Sequence, residues 1–127
     1  MKINHIALYT KDLERMKKFY EKYFNAVSND KYHNKNTGLM TYFLSFDDDS
    51  KLEIMTRPDV CETERSNLGC GYIHLAFSVG TAENVDSLTE MLENDGYKVM
   101  SRPRTTGDGY YESSVCDPDG NIIEITI

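Results

Sequence analysis

The sequence predicts an α+β fold made of two tandem copies of one unit. The first sign is spacing: His5 and His74 are 74 − 5 = 69 residues apart, and Glu53 and Glu124 are 124 − 53 = 71 apart. The second is context. Each His and each Glu sits in an otherwise apolar, strand-like segment: Ile3-Asn4-His5-Ile6-Ala7-Leu8, Lys51-Leu52-Glu53-Ile54-Met55, Tyr72-Ile73-His74-Leu75-Ala76-Phe77 and Ile122-Ile123-Glu124-Ile125. The third is order. Residues 1–56 and 70–127 both read as strand, helix, loop, strand, turn, strand.

The first strand of each unit is expected at Ile3–Tyr9 and Tyr72–Val79. A helix follows in each. Apolar residues at 13, 16, 19, 20, 23 and 24 give the first helix its amphipathic period. Val85, Leu88, Met91 and Leu92 do the same for the second, with Gly96 as its stop. Asp12 and Thr81 are the expected N-caps. Each unit then closes with a hairpin. Thr41–Phe46 turns at Asp47-Asp48-Asp49-Ser50 and returns through Leu52–Met55. Tyr111–Cys116 turns at Asp117-Pro118-Asp119-Gly120-Asn121 and returns through Ile122–Ile127. The polar segment 57–69 between the units reads as a linker, and the whole chain, 1–127, as one domain.

Composition narrows the function. The chain has 127 residues, 39% of them apolar, which is enough for a core. A net charge of −7 argues against a nucleic-acid partner, since phosphate binding needs clustered Lys and Arg. No run is apolar for long enough to suggest a membrane helix, and the start does not read as a signal peptide. A cytoplasmic location is therefore the expectation. The three cysteines, Cys61, Cys70 and Cys116, are expected to be reduced thiols.

Strand parity indicates where the paired residues point. Leu52 and Ile54 oppose Glu53, and Ile123, Ile125 and Ile127 oppose Glu124. His5 shares a face with Ala7, and His74 with Ala76. All four therefore project from the face opposite the aliphatic stripe. Burying a carboxylate without a partner is costly, and a divalent cation held by two imidazoles and two carboxylates would account for both pairs. His33 reads as a solvated loop residue, and the Asp47–Asp49 run as a charged hairpin turn.

Two βαβββ units forming a curled mixed sheet, with a His early and a Glu in the last strand of each, resemble the vicinal oxygen chelate superfamily. The phrases Asn4-His5-Ile6-Ala7, His74-Leu75-Ala76-Phe77-Ser78-Val79 and Asp117-Pro118-Asp119-Gly120-Asn121-Ile122-Ile123-Glu124 carry the resemblance. The full His and Glu set resembles glyoxalase I, the lactoylglutathione lyase. That implies one divalent metal, Zn or Ni first and Co or Mn next, held by His5, Glu53, His74 and Glu124. It also implies conversion of a hemithioacetal of methylglyoxal and a thiol to a lactoyl thioester. The metal would act as a Lewis acid that stabilises an enediolate. Glu124 would be the base that moves the proton, with Glu53 serving the opposite face. A homodimer is implied as well.

The departures fall in the thiol-binding region. Glyoxalase I places an Arg four residues after the first His, where this chain has Tyr9, and an Asn four residues after the first Glu, where it has Arg57. Its basic loop residue before the last hairpin corresponds to Arg102 and Arg104, in a segment that also reads as a flexible lid at Gly107-Asp108-Gly109. Tyr9, Arg57, Arg102 and Arg104 are thus the candidate substrate-binding residues, and a thiol other than glutathione stays open. Other readings are an acyl-thioester epimerase, a thiol transferase, an extradiol dioxygenase or a small-molecule-binding resistance protein. The last lacks metal ligands in the family, so four intact candidates count against it.

Overall fold

Each helix is fixed by a local cap and one apolar stripe. The computed structural model describes residues 1–62 and 69–127, in two units, Met1–Glu64 and Arg65–Ile127. In the first unit, β1 (Ile6–Tyr9) leads to α1 (Leu13–Phe24). The Asp12 carboxylate accepts from the Arg15 N–H at 3.0 Å, which caps the helix. Asn25, at φ 52°, ends it in the left-handed region. Leu13, Met16, Phe19, Tyr20, Tyr23 and Phe24 are buried, as the period requires. The short strands β2 (Val27–Ser28) and β3 (Tyr32–His33) follow, then β4 (Met40–Ser45) and β5 (Lys51–Thr56). The sheet order is β1-β5-β4-β2, with β3 also on β4, and only β1–β5 among these pairings is parallel. Tyr42, Leu44, Leu52 and Ile54 are buried on the face that α1 covers.

The second unit runs β6 (His74–Ser78), α2 (Ala82–Asn94), β7 (Val99–Thr105), β8 (Tyr111–Cys116) and β9 (Ile122–Thr126). Its order is β6-β9-β8-β7, with β6–β9 parallel. Thr81 caps α2 by accepting from the Asn84 N–H at 3.2 Å. Gly96, at φ 87°, follows the helix, and the Tyr97 N–H donates to Leu92 O at 2.9 Å. Val85, Leu92, Val115, Ile123 and Ile125 form the core.

The duplication extends to the turns. Phe46 N–H donates to Ser50 O at 3.1 Å, and Asp117 N–H to Asn121 O at 2.9 Å. The left-handed turn position is Asp49 in the first unit, at φ 65°, and Gly120 in the second, at φ 80°.

Several expectations need correction. The first strands are shorter than expected. Ile3 is exposed, and β1 starts only at Ile6, opposite Leu52, so His5 lies one residue before the strand. Lys51, the β5 residue one step before Leu52, has its Cα partner in β4 (Ser45) and none in β1. β6 likewise starts at His74 rather than at Tyr72. Met91 is exposed; Thr89 takes the inward position, and its hydroxyl donates to Val85 O at 2.6 Å. His33 belongs to β3, and Arg102-Pro103-Arg104 to β7 rather than to a loop. The stripe on β1 is only partly covered, since Ile6 is exposed and Leu8 half-buried. Part of the predicted linker, residues 63–68, lies outside the described residues. The cysteines are free, with Cys116 buried. Among the described residues no helix is long and apolar enough to cross a membrane.

Candidate functional site

Parallel pairing creates the same niche in each unit. In the first, Ala7 is the Cα partner of Glu53 across β1–β5. In the second, Ala76 is the Cα partner of Glu124 across β6–β9. The methyl group leaves room for the imidazole two residues earlier. His5 Nε2 lies 3.6 Å from Glu53 Oε2, and His74 Nε2 lies 3.7 Å from Glu124 Oε2. The Glu side chains are the more buried partners, at 16% and 21% exposure.

Asn4 orients the first imidazole. Its Oδ1 can only accept, so the 2.8 Å contact with His5 Nδ1 places the ring proton there. The Nε2 lone pair then faces the Glu53 carboxylate. Two lone pairs at that distance repel unless a proton or a cation lies between them. Two ligands on one cation, with bonds near ~2.1 Å, stand roughly 3.0–3.4 Å apart. The observed separations are slightly wider, and nitrogen plus carboxylate oxygen is a donor set suited to Zn, Ni, Co or Mn. Each pair therefore fits half of a divalent-metal site. Among the described residues no group of three or more His, Cys, Asp or Glu gathers in position to hold a metal ion.

The neighbours of the two pairs differ. Phe43 is the Cα partner of Glu53, and its ring meets His5 edge-on at 5.3 Å. The matching partner of Glu124 is Ser114. One face is thus aromatic beside its pair and the other polar.

The candidate substrate-binding residues separate into distinct settings. Tyr9 ends β1 on the same side as Ala7, and a hydrogen bond links it to Arg57. The Arg57 guanidinium is held at 2.5 Å by Asp59. These contacts, Asp59 first, push its pKa above the ordinary arginine value. Arg102 reaches the α2 layer and pairs with Glu93 at 2.5 Å. Arg104 instead lies 3.7 Å from Glu112, on β8. The segment 106–110 is a tight turn, with Thr106 N–H donating to Tyr110 O at 2.8 Å.

The sequence reading does not single out Asn4, Phe43 or Glu112. Hairpin register was the available signal for two of them, because the turn at 117–121 places Glu112 opposite Thr126 and the turn at 46–50 places Phe43 opposite Glu53.

Comparison with known proteins gives the family and the fold. The family model described as the Glyoxalase/Bleomycin resistance protein/Dioxygenase superfamily matches residues 2–125. An uncharacterized protein of Bacillus subtilis, YqjT, is 29% identical over 97% of this chain and 96% of its own length. A glyoxalase family protein from Enterococcus faecalis superposes with a TM-score of 0.81 at 22% identity, covering 99% of this chain and 97% of that one. Glyoxalase I from Zea mays superposes with a TM-score of 0.81 at 22% identity over 98% of this chain, which spans 44% of the maize chain. At these identities the structural likeness speaks for the fold.

Proposed function

Because the chain belongs to the Glyoxalase/Bleomycin resistance protein/Dioxygenase superfamily, we propose that it is a metal-dependent lyase or isomerase of the glyoxalase I type. Superfamily members typically bind a divalent metal and small-molecule substrates, and often form dimers. The observation that carries the reading is the repetition of one His–Glu niche, at 3.6 and 3.7 Å, in the same parallel register of both units.

In this reading His5, Glu53, His74 and Glu124 hold one divalent metal, Zn or Ni first. When bound, the metal supplies Lewis acidity to the vicinal oxygens of the substrate. The substrate is the hemithioacetal of methylglyoxal and a thiol. Glu124 takes the proton from the carbon that bears the hydroxyl and the sulfur. A proton returns to the neighbouring carbonyl carbon, the hydroxyl proton passes to that carbon's oxygen, and the product is a lactoyl thioester. Atoms and electrons balance within the substrate, so no oxidant or reductant is required. Glu53 serves the opposite face. Phe43 keeps water from His5, and Asn4 holds the ring so that Nε2 stays available. Tyr9, Arg57 and Arg104 bind the thiol moiety. The two units work as one domain, in a cytoplasmic homodimer.

The test is turnover of methylglyoxal hemithioacetals of several thiols by protein reconstituted with Ni, Zn, Co or Mn. Thioester formation that a chelator abolishes and metal restores is the expected result. Absence of turnover with every metal and thiol would discard the lyase reading. An acyl-thioester epimerase, which moves a proton by similar chemistry, would then be assayed on the same preparations.

A further inference from the structure

We propose that Glu112 is a positioning residue, which orients Arg104 as a carboxylate-recognising fork on the sheet face that carries Glu124. The placement rests on the proposed small-molecule site, but the subsite can be tested without turnover.

Two irregularities in β7 create it. Ser101 pairs with Ser114, and Arg104 with Glu112. Three steps along β7 therefore match two along β8, which is one extra residue. A regular strand would send residues 102 and 104 to the same side. Here Arg102 reaches Glu93 on α2, whereas Arg104 pairs with Glu112.

Which side Glu112 occupies is fixed by its neighbour. Ser113 is fully buried and bonded to Thr89 of α2 at 2.6 Å. Alternation then sends Glu112 and Ser114 to the opposite face. Ser114 is the Cα partner of Glu124, so Glu112 and Glu124 are diagonal neighbours on that face. Two carboxylates there would repel each other without a counter-charge, and Arg104 supplies it.

The guanidinium is held at two points. Nη1 donates to Ser101 Oγ at 2.5 Å, and Nη2 lies 3.7 Å from Glu112 Oε1. The second distance is attraction without a hydrogen bond, so that N–H remains available. The Arg104 side chain is 52% exposed against 17% for Glu112. A half-buried anchor and an open fork suit bidentate capture of a ligand carboxylate. The first unit has no such pair, because an offset of 71 places Thr41 where Glu112 stands and His33 where Arg104 stands. The subsite therefore belongs to the second unit's face alone.

The test uses the full chain labelled with ¹⁵N, reading the Arg104 Nε–H resonance during titration with mercaptoacetate and with 2-mercaptoethanol. Mercaptoacetate is expected to shift the resonance, and 2-mercaptoethanol to leave it in place. Glu112→Gln is expected to weaken mercaptoacetate binding about tenfold, the scale of one charge-assisted contact, with 2-mercaptoethanol binding unchanged. Arg104→Lys, which keeps the charge and loses the fork, should not restore it. Ser101→Ala weakens binding in the same direction and is the variant read if Glu112→Gln does not fold. Equal affinity of the wild type for both thiols, or undiminished mercaptoacetate binding in a folded Glu112→Gln or Ser101→Ala chain, overturns the inference. A mercaptoacetate shift without any hemithioacetal turnover keeps the subsite and removes the proposed reaction. Turnover with an unmoved Arg104 resonance does the reverse.

Discussion

Glu124 faces Ala76 across the parallel β6–β9 ladder, and the imidazole two residues before Ala76 lies 3.7 Å from its carboxylate. Both the proposed base and a proposed ligand are therefore one side chain. Glu124→Gln is expected to lower kcat by ~10²–10⁴-fold and to weaken metal binding. The amide still offers an oxygen, but it cannot accept a proton at neutral pH. Metal content and steady-state rates of the reconstituted variant check this, and a fully active, metal-loaded Glu124→Gln chain would show that another group is the base.

Asn4→Ala frees the His5 ring, whose Nδ1 now donates at 2.8 Å. Loss of such an orienting contact typically costs ~10–100-fold in metal affinity. Competition against a fluorescent chelator measures it. Unchanged affinity would mean that His5 needs no help to present Nε2.

Thr89 and Ser113 share a buried 2.6 Å hydrogen bond. Removing one hydroxyl leaves the other less satisfied, so Thr89→Val is expected to cost about 1–3 kcal/mol. The double variant Thr89→Val, Ser113→Ala should recover part of that loss, which a double-mutant cycle in urea would report. Ile54→Ala and Ile123→Ala, both at 0% exposure, provide a scale at about 2–5 kcal/mol each.

Asp117 and Glu14 should tilt stability with pH in opposite directions. Burial raises the pKa of Asp117, against hydrogen bonds from Asn121 and the Asp119 N–H. The folded chain then binds more protons than the unfolded one just above the ordinary Asp range. Stability from this group is fully present below that range and is lost as pH rises through the raised value. Glu14 is lowered, chiefly by its hydrogen bond with Lys31, so its contribution is present above the ordinary Glu value and is lost as pH falls. Urea midpoints across the acid range should show Asp117→Asn gaining on the wild type as pH rises, and Glu14→Gln gaining as it falls.

What could be read from the sequence was what local chemistry decides. Asp12 and Thr81 cap their helices because a short oxygen side chain reaches back to a free N–H within one turn. The His–Glu pairs were legible because each His stands two residues before an Ala in an apolar segment, and each Glu stands between aliphatic residues. β7 was not legible. Pro103 and two register shifts destroy the alternation that marks a strand. The helical period admits Met91 and Thr89 alike on the inward face, and only the Ser113 hydroxyl across the core decides. Hairpin register places Glu112 on β8, but its pairing with Arg104 depends on the register shifts in β7, which leave no mark in the local sequence.

The irregular β7 strand makes the destination of a cation depend on its register. Three steps from Ser101 would put residue 104 on the other side of a regular strand, and the extra residue returns it to the side of Ser101 and Glu112. Deleting one residue between them would restore the two-against-two match of a regular ladder and leave the guanidinium opposite Glu112, on the same face. The side on which this cation emerges is therefore set by one irregular rung, while the niches beside Ala7 and Ala76 depend on the unbroken parallel ladders.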